Sequence, residues 1–220
     1  MNPDNSVGER IGLIVDEAMR IALASARMVA IYLAVMVAAS VAVDATASSG
    51  GADFGITILS IAMGYFLTIT MVGAVAPDPE GPDGGFGTYF GLSLLSGFAI
   101  LAGLVLLVVP GVLLLIRLAP LYGFGLVNND GVSAAFSESW AATKGHMAPI
   151  AVTLIIPTLM FVGSLGMYFY LSDGEGVISI PVSLVANTAM FSGTVLSTAI
   201  GLAIYSLLSG PGDRLEEIFA

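Results

Sequence analysis

Between Gly91 and Val127 the chain carries a single charged side chain, Arg117. As one α-helix rising ~1.5 Å per residue, this stretch would far exceed the ~30 Å hydrocarbon core of a bilayer. It has to fold back on itself, and Pro110-Gly111 is where the sequence permits the reversal. The pattern predicts a hairpin of two membrane helices with an arginine inside the bilayer.

The rest of the chain agrees with that environment. Of 220 residues, 57% are hydrophobic and 10% are charged, with a mean hydropathy of +0.98. A soluble domain carries about 25% charged residues, so too little polar surface exists here to cover a water-soluble core. The expectation is an all-α polytopic membrane helix bundle, one integral membrane domain over residues 1–220. Six Lys and Arg against sixteen Asp and Glu give a net charge of −10. That argues against nucleic acid as a partner and against a polybasic lipid-binding patch. The chain has no cysteine and one histidine, His146, which leaves no basis for a thiolate or multi-histidine metal site. Asp4, Glu9, Asp16 and Glu17 crowd the first twenty residues, unlike a cleavable signal peptide. The first membrane helix is expected to act as an uncleaved targeting signal.

Six spans are predicted, at 26–43, 56–76, 89–109, 112–127, 147–171 and 182–208. The breaks between them are rich in Gly, Pro, Ser or Asp. Two further helices are expected to lie in the interface. One places Val7, Ile11, Ile14, Val15 and Ala18 on a single face, with Leu13 off the pattern. The other places Val132, Phe136, Trp140 and Thr143 in a stripe, with Asp130 as its cap. The alternative is that each extends the span that follows it. Arg10, Arg20, Arg27, Lys144 and Arg214 all fall on one side of the six-span arrangement, while the loops at 44–55 and 172–181 carry no Lys or Arg. The excess of cations assigns both termini to the cytoplasm. Gly12–Ile31 and Gly131–Ile150 echo one another as a surface helix leading into a span, which leaves a parallel repeat open.

Arg117 and Asn187 are the intramembrane polar candidates. Asn187, with Thr194 and Thr198 on its helical face, is the expected partner of the arginine. Two roles stand side by side for Arg117: a contact to an anion or lipid headgroup, or a structural tie satisfied by helix carbonyls and amides. Trp140 and Lys144 are the interfacial candidates. Ala189, Gly193, Ser197 and Gly201 recur every four residues, a ladder that lets another helix approach closely, within the chain or in a homodimer. Pro157 predicts a kinked fifth span and Pro120 a bent fourth. The acidic loop from Asp78 to Gly85 lacks the ligand spacing of an EF-hand and reads as a solvated loop. His146, beside Lys144, reads as a headgroup-level residue. No nucleophile elbow, P-loop or histidine–glutamate zinc motif occurs, so no catalytic residue, cofactor or metal is assigned.

Pro110-Gly111, Arg117, Asp130-Gly131, Ala135-Phe136, Ser139-Trp140 and Thr143-Lys144-Gly145-His146 follow one another in an order that resembles bacterial six-helix inner-membrane proteins related to the membrane domain of glycerophosphoryl diester phosphodiesterases. The resemblance covers about 40 residues; Met147 and Ala148 depart from it, as does the scarcity of basic residues around Trp140. In those phosphodiesterases the chemistry belongs to a separate soluble barrel, and nothing in this chain resembles that barrel. The resemblance implies a membrane module with Arg117, Trp140 and Lys144 at family-like positions. The resulting expectation is a non-enzymatic accessory protein of the inner membrane, with membrane lipids, a membrane-protein partner or a second copy as its contacts. The alternative is a small transporter or lipid-handling protein with a cavity near Arg117.

Overall fold

The computed structural model describes residues 6–45, 50–76, 85–128, 131–171 and 178–209. Among these residues every regular element is a helix: α1 (Val7–Ala24), α2 (Ala26–Asp44), α3 (Gly50–Val75), α4 (Phe86–Leu106), α5 (Val108–Arg117), α6 (Leu121–Val127), α7 (Gly131–Ala142), α8 (Met147–Thr153), α9 (Ile155–Leu171) and α10 (Ile180–Leu208). Five stretches are long and apolar enough to cross a membrane: Ala26–Asp44, Gly51–Val75, Phe86–Leu106, Val108–Val127 and Ile180–Leu208. A sixth is present if α8 and α9, bent by 43° at their junction, form one broken span. Pro157 accounts for the bend, because its nitrogen cannot donate to the carbonyl of Thr153.

The long apolar stretches alternate in direction. Ser206 near the end of α10 donates to Glu17 of α1, and Arg20 of α1 donates to the Ala74 carbonyl at the end of α3. The Tyr205 hydroxyl donates to Asn128, just past α6. Arg10 reaches the Gly145 carbonyl between α7 and α8. These contacts define a proximal end of the bundle. At the distal end, Asp44 closing α2 meets Tyr168 late in α9 and Ser183 early in α10. The centre is α10, which packs on α9, α1, α2, α6 and α3. From Ala199 to Tyr205 every residue of α10 is buried, so this helix has neighbours on all sides there.

The hairpin closes differently from the sequence expectation. The corner is Leu107, whose extended backbone (φ −158, ψ 126) separates α4 from α5. Pro110 lies in the first turn of α5, where the missing N–H had no intrahelical acceptor to lose. Gly111 serves packing. A Cβ there would stand 2.5 Å from Leu104 Cγ, and one on Gly103 would stand 2.9 Å from Gly111 Cα. These two glycines bring the α4 and α5 backbones together just below the corner. Leu106 and Val109 beside the corner are 78% and 79% exposed.

Other boundaries shift for local reasons. α3 begins at Gly50, earlier than predicted, with Asp53 in its first turn, where a carboxylate favours the helix N-terminus. The fourth stretch divides into α5 and α6 at Pro120. Ala135 and Ser139 of α7 and Thr143 just past it are fully buried; of the expected stripe Thr143 is buried, Val132 and Phe136 are half-buried and Trp140 is exposed, and the small residues let α7 lie close to the α5–α6 link. On α1 the buried face is Ile14, Ala18 and Ile21, while Val7 and Val15 are exposed. Arg214, Asp130 and the acidic loop residues up to Gly84 lie outside the described residues.

Candidate functional site

A half-open cavity of about 320 Å³ lies between α3, α4, the α5–α6 segment, the α8–α9 kink and α10, with Thr158, Phe161, Thr194 and Ser197 exposed at its mouth. Small residues make the room. Gly64 of α3 sits under Tyr89, where a Cβ would come within 2.5 Å of the phenol oxygen. Gly193 of α10 faces the Pro157 carbonyl, 3.1 Å from where its Cβ would be. Leu67, Leu115, Leu154, Phe161 and Met190 supply apolar walls, and Thr68, Thr158, Thr194, Ser197, Thr198, Tyr89 and Tyr122 add hydroxyls. Most of these hydroxyls are already satisfied. Thr68 donates to the Gly64 carbonyl at 2.8 Å, Thr194 to Met190 at 3.2 Å and Thr198 to Thr194 at 2.9 Å. The Tyr122 and Ser93 hydroxyls bond at 3.0 Å. An apolar guest can therefore enter without stripping these groups of a partner. Among the described residues no Lys, Arg, Asp, Glu or His lines the cavity.

Arg117 is not among the lining residues and does not meet Asn187. Its Nη1 donates to the Trp140 carbonyl at 2.9 Å and to Thr143 Oγ1 at 3.3 Å. The guanidinium carbon stands 5.0 Å from the Trp140 ring centre, a cation–π geometry. The backbone closes the pair from the other side, since Ser139 Oγ donates to the Arg117 carbonyl at 2.7 Å. The expected pairing fails because α5 starts at Val108 and carries Arg117 down to the proximal end. The neighbouring Ala119 carbonyl lies against Gly201, and Gly201 is ~20 Å from Asn187 along α10. Trp140 is 43% exposed, with Lys144 exposed one turn beyond it.

Asn187 belongs to a distal cluster. Its Nδ2 donates to Asp44 Oδ2 at 3.0 Å and to the Ser183 carbonyl at 3.0 Å, and lies 2.7 Å from the Tyr168 hydroxyl. Tyr168 and Ser183 also donate to Asp44 Oδ2, at 2.8 Å and 2.5 Å. By sequence Asp44 opens the predicted loop at 44–55. The available signal was an acid ending an apolar helix with every Lys and Arg distant from it in the chain.

The small-residue ladder is used within the chain: Gly193 against α9, Ser197 on the cavity and Gly201 under the Ala119 carbonyl. His146 meets Arg10, whose Nη1 lies 3.4 Å from Nδ1. Burial, and then the charge of Arg10, hold the imidazole pKa below its ordinary value. Glu17 chelates Arg20 with two 2.7 Å hydrogen bonds. Those bonds hold its carboxyl below the usual range, against the opposing effect of burial. Gly145, with φ at +86, makes the turn from α7 into α8 in a conformation that a side chain would strain. That turn explains the glycine of the Thr143-Lys144-Gly145 unit.

Compared with family models, with curated proteins and with solved structures, the chain matches none.

Proposed function

We propose that this is a non-enzymatic, six-span protein of the bacterial inner membrane that handles lipid. In this reading α1 and α7 lie in the cytoplasmic interface and both termini are cytoplasmic. The observation that carries it is the apolar, hydroxyl-lined cavity at mid-bundle. Its size falls at the small end of ligand pockets, ~300–1,000 Å³, and it suits one alkyl segment. Two further features support the membrane assignment. The described basic residues Arg10, Arg20, Arg117 and Lys144 gather with the start of α2 at the proximal end, as the positive-inside rule expects. Exposed Leu23, Phe66, Phe98, Phe161 and Phe169 give the outer surface an apolar character that suits hydrocarbon. The order of motifs from Pro110 to His146 supports a membrane module akin to that of the glycerophosphoryl diester phosphodiesterases, working without their barrel.

Native mass spectrometry of the detergent-purified protein tests the reading. Lipid adducts should survive on the parent chain and fall sharply in Ser197→Phe, which fills the cavity. Equal adduct retention in a folded Ser197→Phe protein would refute the lipid role. Reporter tags at the two termini should read the same compartment; opposite compartments would overturn the span count.

A further inference from the structure

The cavity and the Asp44 cluster stand on the same face of the α9–α10 pair. Met190 and Thr194, which line the cavity, follow Asn187 on α10 at the three- and seven-residue intervals that share a helical face. On α9, cavity-lining Phe161 precedes Tyr168 by the same seven-residue interval. The carboxylate cluster therefore lies ~10 Å from the middle of the cavity toward the distal end.

Asp44 there has an unbalanced charge. Its donors among the described residues are Tyr168, Ser183 and Asn187, all neutral, and all end on Oδ2. Oδ1 accepts no hydrogen bond among the described residues. Ser183 and Asn187 are 0% and 2% exposed, whereas Asp44 itself is partly exposed among the described residues. No described cation approaches it. Arg10, Arg20, Arg117 and Lys144 sit at the proximal end, and Arg27, at the far end of α2, is ~25 Å away. A carboxylate beside apolar surroundings is stabilised by a countercharge. A bare metal ion is a poor match, because hard cations demand six or more oxygens and the neutral groups here aim hydrogens at Oδ2. An ammonium needs only an acceptor.

We propose that the cavity and Asp44 form one site for a cationic amphiphile, its protonated primary amine on Asp44 Oδ1 and its alkyl body in the cavity. The inference rests on the lipid-handling reading and adds the charge of the guest. Two sources share this chemistry: a free long-chain amine, or the amine of a phospholipid head.

The test uses the full chain in nanodiscs of neutral phosphatidylcholine, with empty discs as reference, and measures equilibrium binding of dodecylamine and dodecanol. Dodecylamine should bind about tenfold more tightly, the effect of one favourable polar contact. Asp44→Asn, which keeps an acceptor for the three donors, should erase that preference, while Ser197→Phe should weaken both probes. Equal binding of amine and alcohol to the unaltered protein would overturn the carboxylate's role and leave the cavity reading standing. Failure of both probes to bind would sink the two together. The comparison on the unaltered protein decides even if Asp44→Asn does not fold. Displacement of bound dodecylamine by lysophosphatidylethanolamine would assign the amine to a lipid head, and persistence of the bound probe would assign it to a free amine.

Discussion

Gly123 has no room for even a methyl group: a Cβ there would overlap the ring of Tyr205. Gly123→Ala should therefore lower stability by about 1–3 kcal/mol through overpacking, read as a reduced thermal midpoint by circular dichroism with helix content unchanged. An unaltered midpoint would mean that α6 and α10 are not in direct contact. Arg117 invites a different exchange. Lysine keeps the charge and loses the planar fork and the stack on Trp140. Arg117→Lys should cost about 1 kcal/mol and Arg117→Leu about 1–3 kcal/mol, measured by the same melting experiment. Full stability in the leucine variant would show that α7 does not depend on this tie. At this scale the sequence was only partly legible. The solitary charge in an apolar run marked Arg117 as a residue in need of partners. Which partners it took depended on where α5 began, and a shift in that start carried the guanidinium away from Asn187 and onto a backbone carbonyl that no side-chain pattern announces. Asp44 was hidden by the opposite circumstance, since a carboxylate that opens a run of Ala, Thr, Ser and Gly reads as a turn until Tyr168, Ser183 and Asn187 are folded around it.

Individual elements were easier to read than the joints between them. α2 and α10 have nearly the predicted bounds, because long apolar runs ended by Asp, Ser or Gly leave little freedom. The bend of the α8–α9 pair followed from Pro157. The α4–α5 corner misled because a Pro-Gly pair can end a helix or open one, and only the Gly103–Gly111 approach decides which. α1 carries a testable electrostatic anchor. Glu17 ties Arg20 and, through Ser206, α10. Its carboxyl is held below the ordinary value. The stability it contributes is present above the unfolded carboxylate range, about pH 4–5, and disappears as pH falls through the lower folded value. Amide exchange in α1 should thus accelerate at about pH 3 relative to pH 6 once corrected for intrinsic rates, and Glu17→Gln should show fast exchange at both. Equal protection of α1 in the parent and in Glu17→Gln at pH 6 would remove the anchor from the account.

For the molecule as a whole, hydropathy and the distribution of cations outlined a helical membrane protein, and the structure supplied the arrangement that patterning cannot: which helix is central. That helix is α10, the last of the described elements to leave the ribosome. During translation the earlier segments must wait in the membrane with Glu17 of α1, Asp44 of α2 and the Tyr205-facing glycine of α6 uncovered by the side chains of α10 that meet them, because that helix has not yet been made. Assembly is thereby postponed until α10 has been made. A nascent chain arrested before α10 would be an open set of segments, exposed to membrane proteases and dependent on insertion chaperones until the closing helix arrives.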